Sequence, residues 1–218
     1  TVFIREWFQQ RYAELPDKLW FFQSIDTAFK TGVGNDFSVV ATWGTNGRDF
    51  YLVHVWKGRV EYIDLKRKIV DAAERFRPRA VLIEDAAAGQ SIIQELRRAT
   101  GLPIIPIQSS VSKERRAGAD AVTTVFEAGR VYLPESAPWL DEWIEEHIAF
   151  PAGAHDDQVD TTSMALAWAS IRAAQPRQMV TLQTGTAAPL DANKPPYIQK
   201  LRRRLRERDH PSVSARVR

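Results

Sequence analysis

The chain has 218 residues, of which 44% are hydrophobic and 26% are charged. This balance is typical of folded globular proteins and excludes collagen, a coiled coil or a chain that is disordered throughout. The absence of cysteine excludes disulfides and thiolate sites, and leaves carboxylates and histidines for any metal or acid–base chemistry. Without a long apolar run or a visible signal peptide, we expect a soluble, non-secreted protein that has no membrane partner.

The formal net charge of +3 is unevenly distributed. Residues 177–218 hold ten Lys or Arg against three Asp or Glu, a net of +7, whereas the remaining residues carry 20 basic and 24 acidic side chains, a net of −4. A basic tail on a mildly acidic body suggests a polyanion as partner. A solvated end that only keeps the chain soluble explains the same pattern, and both interpretations stay open.

The first 60 residues predict a short lead-in followed by three strands. Residues 1–18 mix aromatic and charged side chains and indicate a helix or lead-in segment rather than a domain. The dense aromatic and β-branched run over residues 19–26 predicts a buried strand that ends at a carboxylate. Residues 37–43 and 50–56 predict a hairpin, so three antiparallel strands are expected.

From residue 60 onward the apolar pattern alternates between helix and strand. Helices are predicted over residues 63–76, 89–100, 113–128, 139–148 and 156–171. Strands are predicted over residues 80–84 and 104–107, and a small extended piece over residues 131–134. Pro106 favours a sheet edge for the strand over residues 104–107. We therefore predict one α/β domain over residues 19–173, with a mixed sheet of three antiparallel and then parallel strands, flanked by helices. Residues 174–218 lose the periodicity and are expected to form a flexible basic tail.

Acidic residues stand at the ends of predicted elements. Asp26 and Glu84 each end a predicted strand, and if those strands are neighbours their ends lie roughly 5 Å apart. Asp156, Asp157 and Asp160 open the last predicted helix, where spacings of three and four residues put at least two of them on one face. These carboxylates are therefore expected to point into one shared site.

Carboxylates that converge repel one another unless a cation neutralises them, so these residues indicate a divalent metal site. Oxygen ligands without cysteine favour Mg²⁺ or Mn²⁺, and two such ions about 3.5 to 4 Å apart can support phosphodiester cleavage. Taken singly, an aspartate at a strand end is more often a turn residue or a helix cap. The coincidence of three such positions in this order of elements favours a metal-dependent nuclease.

Three segments carry a resemblance to a known family. They are Ser24-Ile25-Asp26-Thr27-Ala28, Leu82-Ile83-Glu84-Asp85-Ala86-Ala87-Ala88-Gly89 and His155-Asp156-Asp157-Gln158-Val159-Asp160. Together with the order of strands, they resemble the nuclease domain of the large terminase subunit of tailed bacteriophages over about residues 19–173. The resemblance implies a ribonuclease H-like fold.

The resemblance also implies a set of metal ligands, one acid from each segment. In this sequence these are Asp26, Glu84 and Asp157, with Asp156 and Asp160 as nearby auxiliaries. Because acids stand next to each other in two segments, the choice between residues 84 and 85 and between residues 156 and 157 stays open.

The implied function is an endonuclease that cuts double-stranded DNA during viral genome packaging in the host cytoplasm, using two Mg²⁺ or Mn²⁺ ions. The implied partners are the packaging ATPase domain, the portal protein and the small terminase subunit. The sequence has no Gly-x-x-x-x-Gly-Lys-Ser/Thr phosphate loop, so we expect the ATPase to be missing from this chain. The resemblance then implies that residues 1–18 are the tether to that ATPase. Lys113, Arg115 and Arg116 are candidate DNA contacts, although a solvated helix face explains them as well.

Two other functions stay open. A Holliday-junction resolvase would have the same fold and would cut branched rather than linear DNA. A non-catalytic domain that docks onto the portal or onto DNA would use the acids only for stability, and metal titration would separate it from a nuclease.

Overall fold

The structure is a computed structural model that describes residues 2–27, 37–108 and 120–174. The strands are β1 (Arg11–Tyr12), β2 (Trp20–Asp26), β3 (Ser38–Thr45), β4 (Phe50–Gly58), β5 (Val81–Glu84), β6 (Ile104–Ile107) and β7 (Val131–Pro134). The α-helices are α1 (Tyr62–Phe76), α2 (Ala87–Ala99), α3 (Asp120–Glu127), α4 (Leu140–Ala149) and α5 (Asp157–Ala174), and a short 3-10 helix spans Arg5–Phe8.

The described strands form one sheet in the order β1-β7-β4-β3-β2-β5-β6. At its centre β2, β3 and β4 pair antiparallel. On one side β5 runs parallel to β2 and β6 runs parallel to β5, while on the other side β7 runs parallel to β4 and β1 to β7. This arrangement confirms the predicted mixed sheet.

The sheet separates two apolar clusters, because alternate residues of a strand point to opposite faces. On one face Ile25 of β2 and Ile83 of β5 pack with Leu65 and Ile69 of α1 and with residues of α2. On the other face Phe22 and Leu82 belong to a cluster that includes residues of α3, α4 and α5. The helices therefore flank both faces, as predicted, and α5 lies on the face opposite to α1 and α2.

The lead-in segment packs against the domain. Phe3 and Phe8 are 0% and 2% exposed, and their rings lie 5.2 and 5.4 Å from the ring of Phe126 in α3. The strand β1 pairs with β7. Burial of two aromatic side chains removes a large apolar area from water, so this segment contributes to the core that the sheet and α3 form.

The predicted elements agree with the described ones at several points. The predicted hairpin is β3–β4, and the strand that contains Pro106 is β6, at the edge of the sheet. The helix predicted over residues 113–128 is described from Asp120 to Glu127. The tail predicted over residues 174–218 lies outside the described residues, except for Ala174, the last residue of α5. Among the described residues, none of the helices combines the length and the hydropathy of a membrane-spanning segment.

Candidate active site

Two of the predicted site residues end neighbouring parallel strands. In the β2–β5 pairing Ser24 lies opposite Leu82 and Ile25 opposite Ile83, so Asp26 and Glu84 are the next residues of the two strands. Neighbouring strands are separated by about 4.8 Å. The predicted proximity of these two strand ends is therefore present in the structure.

Strand alternation determines the face on which these two acids lie. Asp26 is two residues beyond Ser24 and four beyond Phe22, and Glu84 is two residues beyond Leu82. Phe22 and Leu82 both belong to the apolar cluster that includes α5. Because residues two apart in a strand share a face, Asp26 and Glu84 lie on the side of the sheet that α5 covers.

The direction of α5 brings its first turn to the same end of the sheet. Near the other end of the helix, the Trp168 ring lies 5.6 Å from the ring of Phe22, early in β2. Just before the helix, His155 contacts Phe37 with 5.1 Å between ring centroids, and Phe37 precedes the β3 residues that pair with the end of β2. The helix therefore runs antiparallel to β2, and its beginning lies towards Asp26.

The acids of the first turn of α5 differ in exposure. Asp157 and Asp160 are buried, with exposed fractions of 7% and 3%, whereas Asp156 is half-buried. Residues three apart on a helix share a face, so Asp157 and Asp160 lie on one side of α5, a helix that packs against β2 and β3. Burial of two carboxylates is costly unless hydrogen bonds or charges compensate it, which sets this turn apart from an ordinary solvated helix end.

The donors fit a hard divalent cation in their chemistry, since every candidate ligand is a carboxylate and no softer ligand stands among them. Within residues 2–27, 37–108 and 120–174, however, no three Asp, Glu or His side chains come close enough together to hold one metal ion. The structure thus gathers the acids at one end of one sheet face, and the role of metal ligands stays a prediction.

The structure distinguishes Glu84 from its neighbour Asp85. The amide of Gln108 donates a 2.8 Å hydrogen bond to Oδ2 of Asp85, and the backbone N–H of Asp85 donates to the carbonyl of Ile107. Asp85 is thereby tied to the β6 side of the strand end. Glu84 is the member of the pair that lies on the face covered by α5.

Gly89, near the beginning of α2, lies against the end of β5. A Cβ atom at this position would be 1.9 Å from the carbonyl oxygen of Glu84 and 3.5 Å from Oγ1 of Thr27. Only glycine permits this approach without a backbone shift. The apolar pattern predicts Gly89 only as part of a helix, although the small residues that follow Glu84 are a signal of close packing.

The rim of the site carries cations around one aromatic ring. The guanidinium of Arg59 and Nζ of Lys57 lie 4.2 and 4.6 Å from the centroid of Phe37. The exposed His155 places Nδ1 4.0 Å from Oδ2 of Asp157. The predicted DNA contacts, residues 113, 115 and 116, lie outside the described residues.

Comparison with solved structures finds the same fold in phage large terminase nucleases. The crystal structure of the large terminase nuclease from thermophilic phage G20c with bound zinc superposes with a TM-score of 0.58 at 16% identity, covering 74% of this chain and 94% of that one. The Thermus phage P74-26 large terminase nuclease domain superposes with a TM-score of 0.51 at 18% identity, covering 72% and 86%. At these identities the likeness concerns the fold.

A longer relative is also similar. The large terminase from the thermophilic bacteriophage D6E superposes with a TM-score of 0.54 at 13% identity, covering 77% of this chain but only 44% of that one. No curated protein matches the chain.

The family whose description is the terminase RNaseH-like domain matches residues 23–168, which extend from β2 into α5. That range includes both acidic strand ends and the acidic first turn of α5. The match covers most of the chain, and the family description agrees with the fold that the chain shares with the solved terminase nucleases. The chain therefore belongs to the family of terminase RNaseH-like domains.

Proposed function

We propose that the protein is a metal-dependent endonuclease that cuts double-stranded DNA during viral genome packaging, in the cytoplasm of the host. The observation that carries this proposal is the register of β2 and β5, which brings Asp26 and Glu84 to adjacent strand ends on the face that α5 covers. Asp157 supplies the third carboxylate from the buried first turn of α5. Membership of the terminase nuclease family supports the same function.

In this proposal Asp26, Glu84 and Asp157 hold two Mg²⁺ or Mn²⁺ ions, with Asp156 and Asp160 close by. The bound ions would lower the pKa of an attacking water and stabilise the leaving oxygen of the phosphodiester. The carboxylates would hold this positive charge near the ends of β2 and β5, where the mutual repulsion of neighbouring acids favours cation binding. The crystal structures of the G20c nuclease with zinc, magnesium and cobalt support the use of divalent metal.

The partners belong to the same proposal. Double-stranded DNA is the substrate, and the packaging ATPase domain, the portal protein and the small terminase subunit are the partners of the assembled machine. A structure of the longer D6E large terminase was solved in complex with ADP, and this chain covers 42% of that protein, which supports a separate ATPase part.

The first experiment removes single charges at the two strand ends. Asp26→Asn and Glu84→Gln should each lower the rate of linear DNA cleavage in Mn²⁺ by more than about 100-fold, because loss of a ligand should exceed the 10- to 100-fold effect of outer-shell residues. Cleavage of plasmid DNA on gels and far-UV circular dichroism measure the rate and the fold.

The matched control is Asp85→Asn, which removes the neighbouring charge that is bound to Gln108 and should leave cleavage near the wild-type rate. Wild-type cutting by both Asp26→Asn and Glu84→Gln would contradict the assignment.

One observation favours a second candidate, a non-catalytic domain that docks onto DNA or the portal. In the described ranges no three acidic or histidine side chains stand close enough together for one ion. Isothermal titration with Mn²⁺, together with a cleavage assay at low salt, separates the two candidates. Absence of both Mn²⁺ binding and cleavage would favour docking.

A further inference from the structure

A buried carboxylate on α4 binds the first turn of α5. Glu146 is 8% exposed, and its Oε1 accepts a 2.6 Å hydrogen bond from the backbone N–H of Gln158. Its Oε2 accepts a second bond of 2.7 Å from the side-chain amide of Gln158 and a third of 2.7 Å from Nζ of Lys57. We call Glu146, Lys57 and Gln158 the α5 anchor.

The anchor satisfies a need that every helix has. The first N–H groups of a helix lack partners inside it, and a carboxylate near them is favoured by the helix dipole. Here that carboxylate comes from a different helix, 12 residues earlier in the chain. Glu146 therefore fixes the beginning of α5 relative to α4.

The charge of Glu146 is balanced inside the structure. Burial alone would raise the pKa of Glu146, but the hydrogen bonds from Lys57 and Gln158 outweigh burial and hold its pKa below the ordinary value. Lys57 lies near the end of β4, where it pairs with Val39 of β3, and Val39 in turn pairs with Asp26. The anchor thus joins α4, the first turn of α5 and the end of the sheet that carries Asp26.

Gln158 stands inside the acidic turn, directly after Asp157 and two residues before Asp160. The backbone N–H and the side-chain amide of Gln158 both donate to the carboxylate of Glu146. These two bonds restrain the position of this turn along the axis of α5 and its rotation about that axis. If α5 rotated about its axis by the angle between successive residues, about 100°, the side chains of Asp157 and Asp160 would point in a different direction. The anchor is therefore placed to determine where the buried carboxylates of α5 point.

We propose that Glu146 is a positioning residue that fixes the acidic turn of α5 at the end of the sheet that carries Asp26 and thereby supports Mn²⁺ binding there, an inference that rests on the proposed function. Replacing a buried ion pair by apolar residues is often neutral for stability, and in some proteins such pairs specify geometry. Outer-shell partners of metal ligands typically contribute 10- to 100-fold to affinity. An effect of about that size is expected for Glu146.

Glu142 provides a matched control. Its Oε1 lies 2.8 Å from the same Nζ of Lys57, but its side chain is exposed, whereas Glu146 is buried against Gln158. Glu146→Gln leaves the donors of Lys57 and Gln158 facing an amide that itself donates, whereas Glu142→Gln alters only the exposed side of the same lysine. Each of the two substitutions removes one negative charge that lies beside Nζ of Lys57.

The test measures Mn²⁺ binding by calorimetry and amide hydrogen exchange over residues 157–161, both without DNA. We expect Glu146→Gln to weaken Mn²⁺ binding about 10-fold or more and to accelerate exchange at the start of α5, with Glu142→Gln like the wild type. If Glu146→Gln does not fold, Gln158→Ala replaces it. This variant keeps the Glu146–Lys57 pair, loses one bond to the helix, and should weaken Mn²⁺ binding in the same direction.

The outcomes separate the positioning role from the proposed function. Wild-type Mn²⁺ affinity in a folded Glu146→Gln or Gln158→Ala variant would overturn the positioning role, even if the variant is less stable. A wild-type protein that binds no Mn²⁺ and cuts no DNA would overturn the proposed function itself.

Discussion

At the scale of single residues, the contact between Gly89 and the end of β5 leaves no room for a side chain. A Cβ at Gly89 would stand 1.9 Å from the carbonyl oxygen of Glu84, a backbone atom that cannot move aside without shifting the strand end. Small residues at such contacts allow a helix to approach a strand end closely. The position of Glu84 is consequently coupled to the position of α2.

We expect Gly89→Ala to lower the free energy of unfolding by about 1 to 3 kcal/mol, the usual cost of added volume at a packed contact, and to reduce cleavage because Glu84 is displaced. Urea unfolding and plasmid cleavage measure the two effects. Gly101→Ala is the control, since nothing lies within 4 Å of its Cβ position. Equal stability of the two variants would contradict close packing at Gly89.

At the scale of elements, α4 holds α5 through a second buried contact besides Glu146. His147 is fully buried, with Nδ1 2.7 Å from the carbonyl oxygen of Trp143 and Nε2 3.0 Å from Oγ1 of Thr162 in α5. Burial lowers the pKa of His147 to about 4, although the hydrogen bond to Trp143 acts in the opposite direction. The imidazole is therefore neutral at physiological pH.

This pKa makes stability depend on pH. Between about pH 6.5 and pH 4 the unfolded chain binds a proton at His147 that the folded protein does not, so stability falls as the pH falls through this window. For this one group we expect a loss of about 2 kcal/mol between pH 7 and pH 5. Urea unfolding at the two pH values measures it, and His147→Gln should show a smaller pH dependence. Identical pH dependence in both proteins would refute the prediction.

At the scale of the whole molecule, the positive charge is concentrated in the last part of the chain, after the predicted domain. The body has a net charge of −4 and carries the acidic end of the sheet, while residues 177–218 have a net charge of +7. Phosphate contacts make DNA binding depend on salt in proportion to the number of cations involved. The basic segment is thus the part of the sequence best suited to such contacts.

Replacing Arg202, Arg203 and Arg204 with Gln should weaken DNA binding and reduce the slope of log affinity against log salt concentration by up to about 3, because each phosphate that is no longer neutralised lowers the slope by about 0.9. Fluorescence anisotropy over a salt series measures the slope. Mn²⁺ affinity and the midpoint of thermal unfolding serve as controls and should stay at their wild-type values. An unchanged slope would show that these three arginines do not bind DNA.

Much of the fold could be predicted because local patterns express it. The apolar runs over residues 19–26 and 80–84 each predict a buried strand. The acid at the end of each run marks where the predicted strand ends. Pro106 indicated an edge strand because proline cannot donate a ladder hydrogen bond, and β6 lies at the edge. These features depend on neighbours in the chain, so periodicity reveals them.

The candidate site was only partly predictable for the opposite reason. The buried role of Glu146 depends on Gln158 and Lys57, which lie 12 and 89 residues away in the chain. The position of Glu146 on an amphipathic helix, near Trp143 and His147, is only a weak signal of its burial. Glutamates on such helices are usually exposed to solvent. The burial of Phe3 and Phe8 likewise depends on Phe126.

Within residues 19–173 the sequence by itself determined which segments form strands and helices and which acids stand at their ends, because backbone preference and apolar periodicity act over a few residues. Only the tertiary structure decided that α5 crosses β2 antiparallel, that Glu84 rather than Asp85 lies on its face, and that Glu146 binds its first turn. Those decisions rest on packing between segments distant in the chain, where shape, burial and hydrogen bonding are settled together.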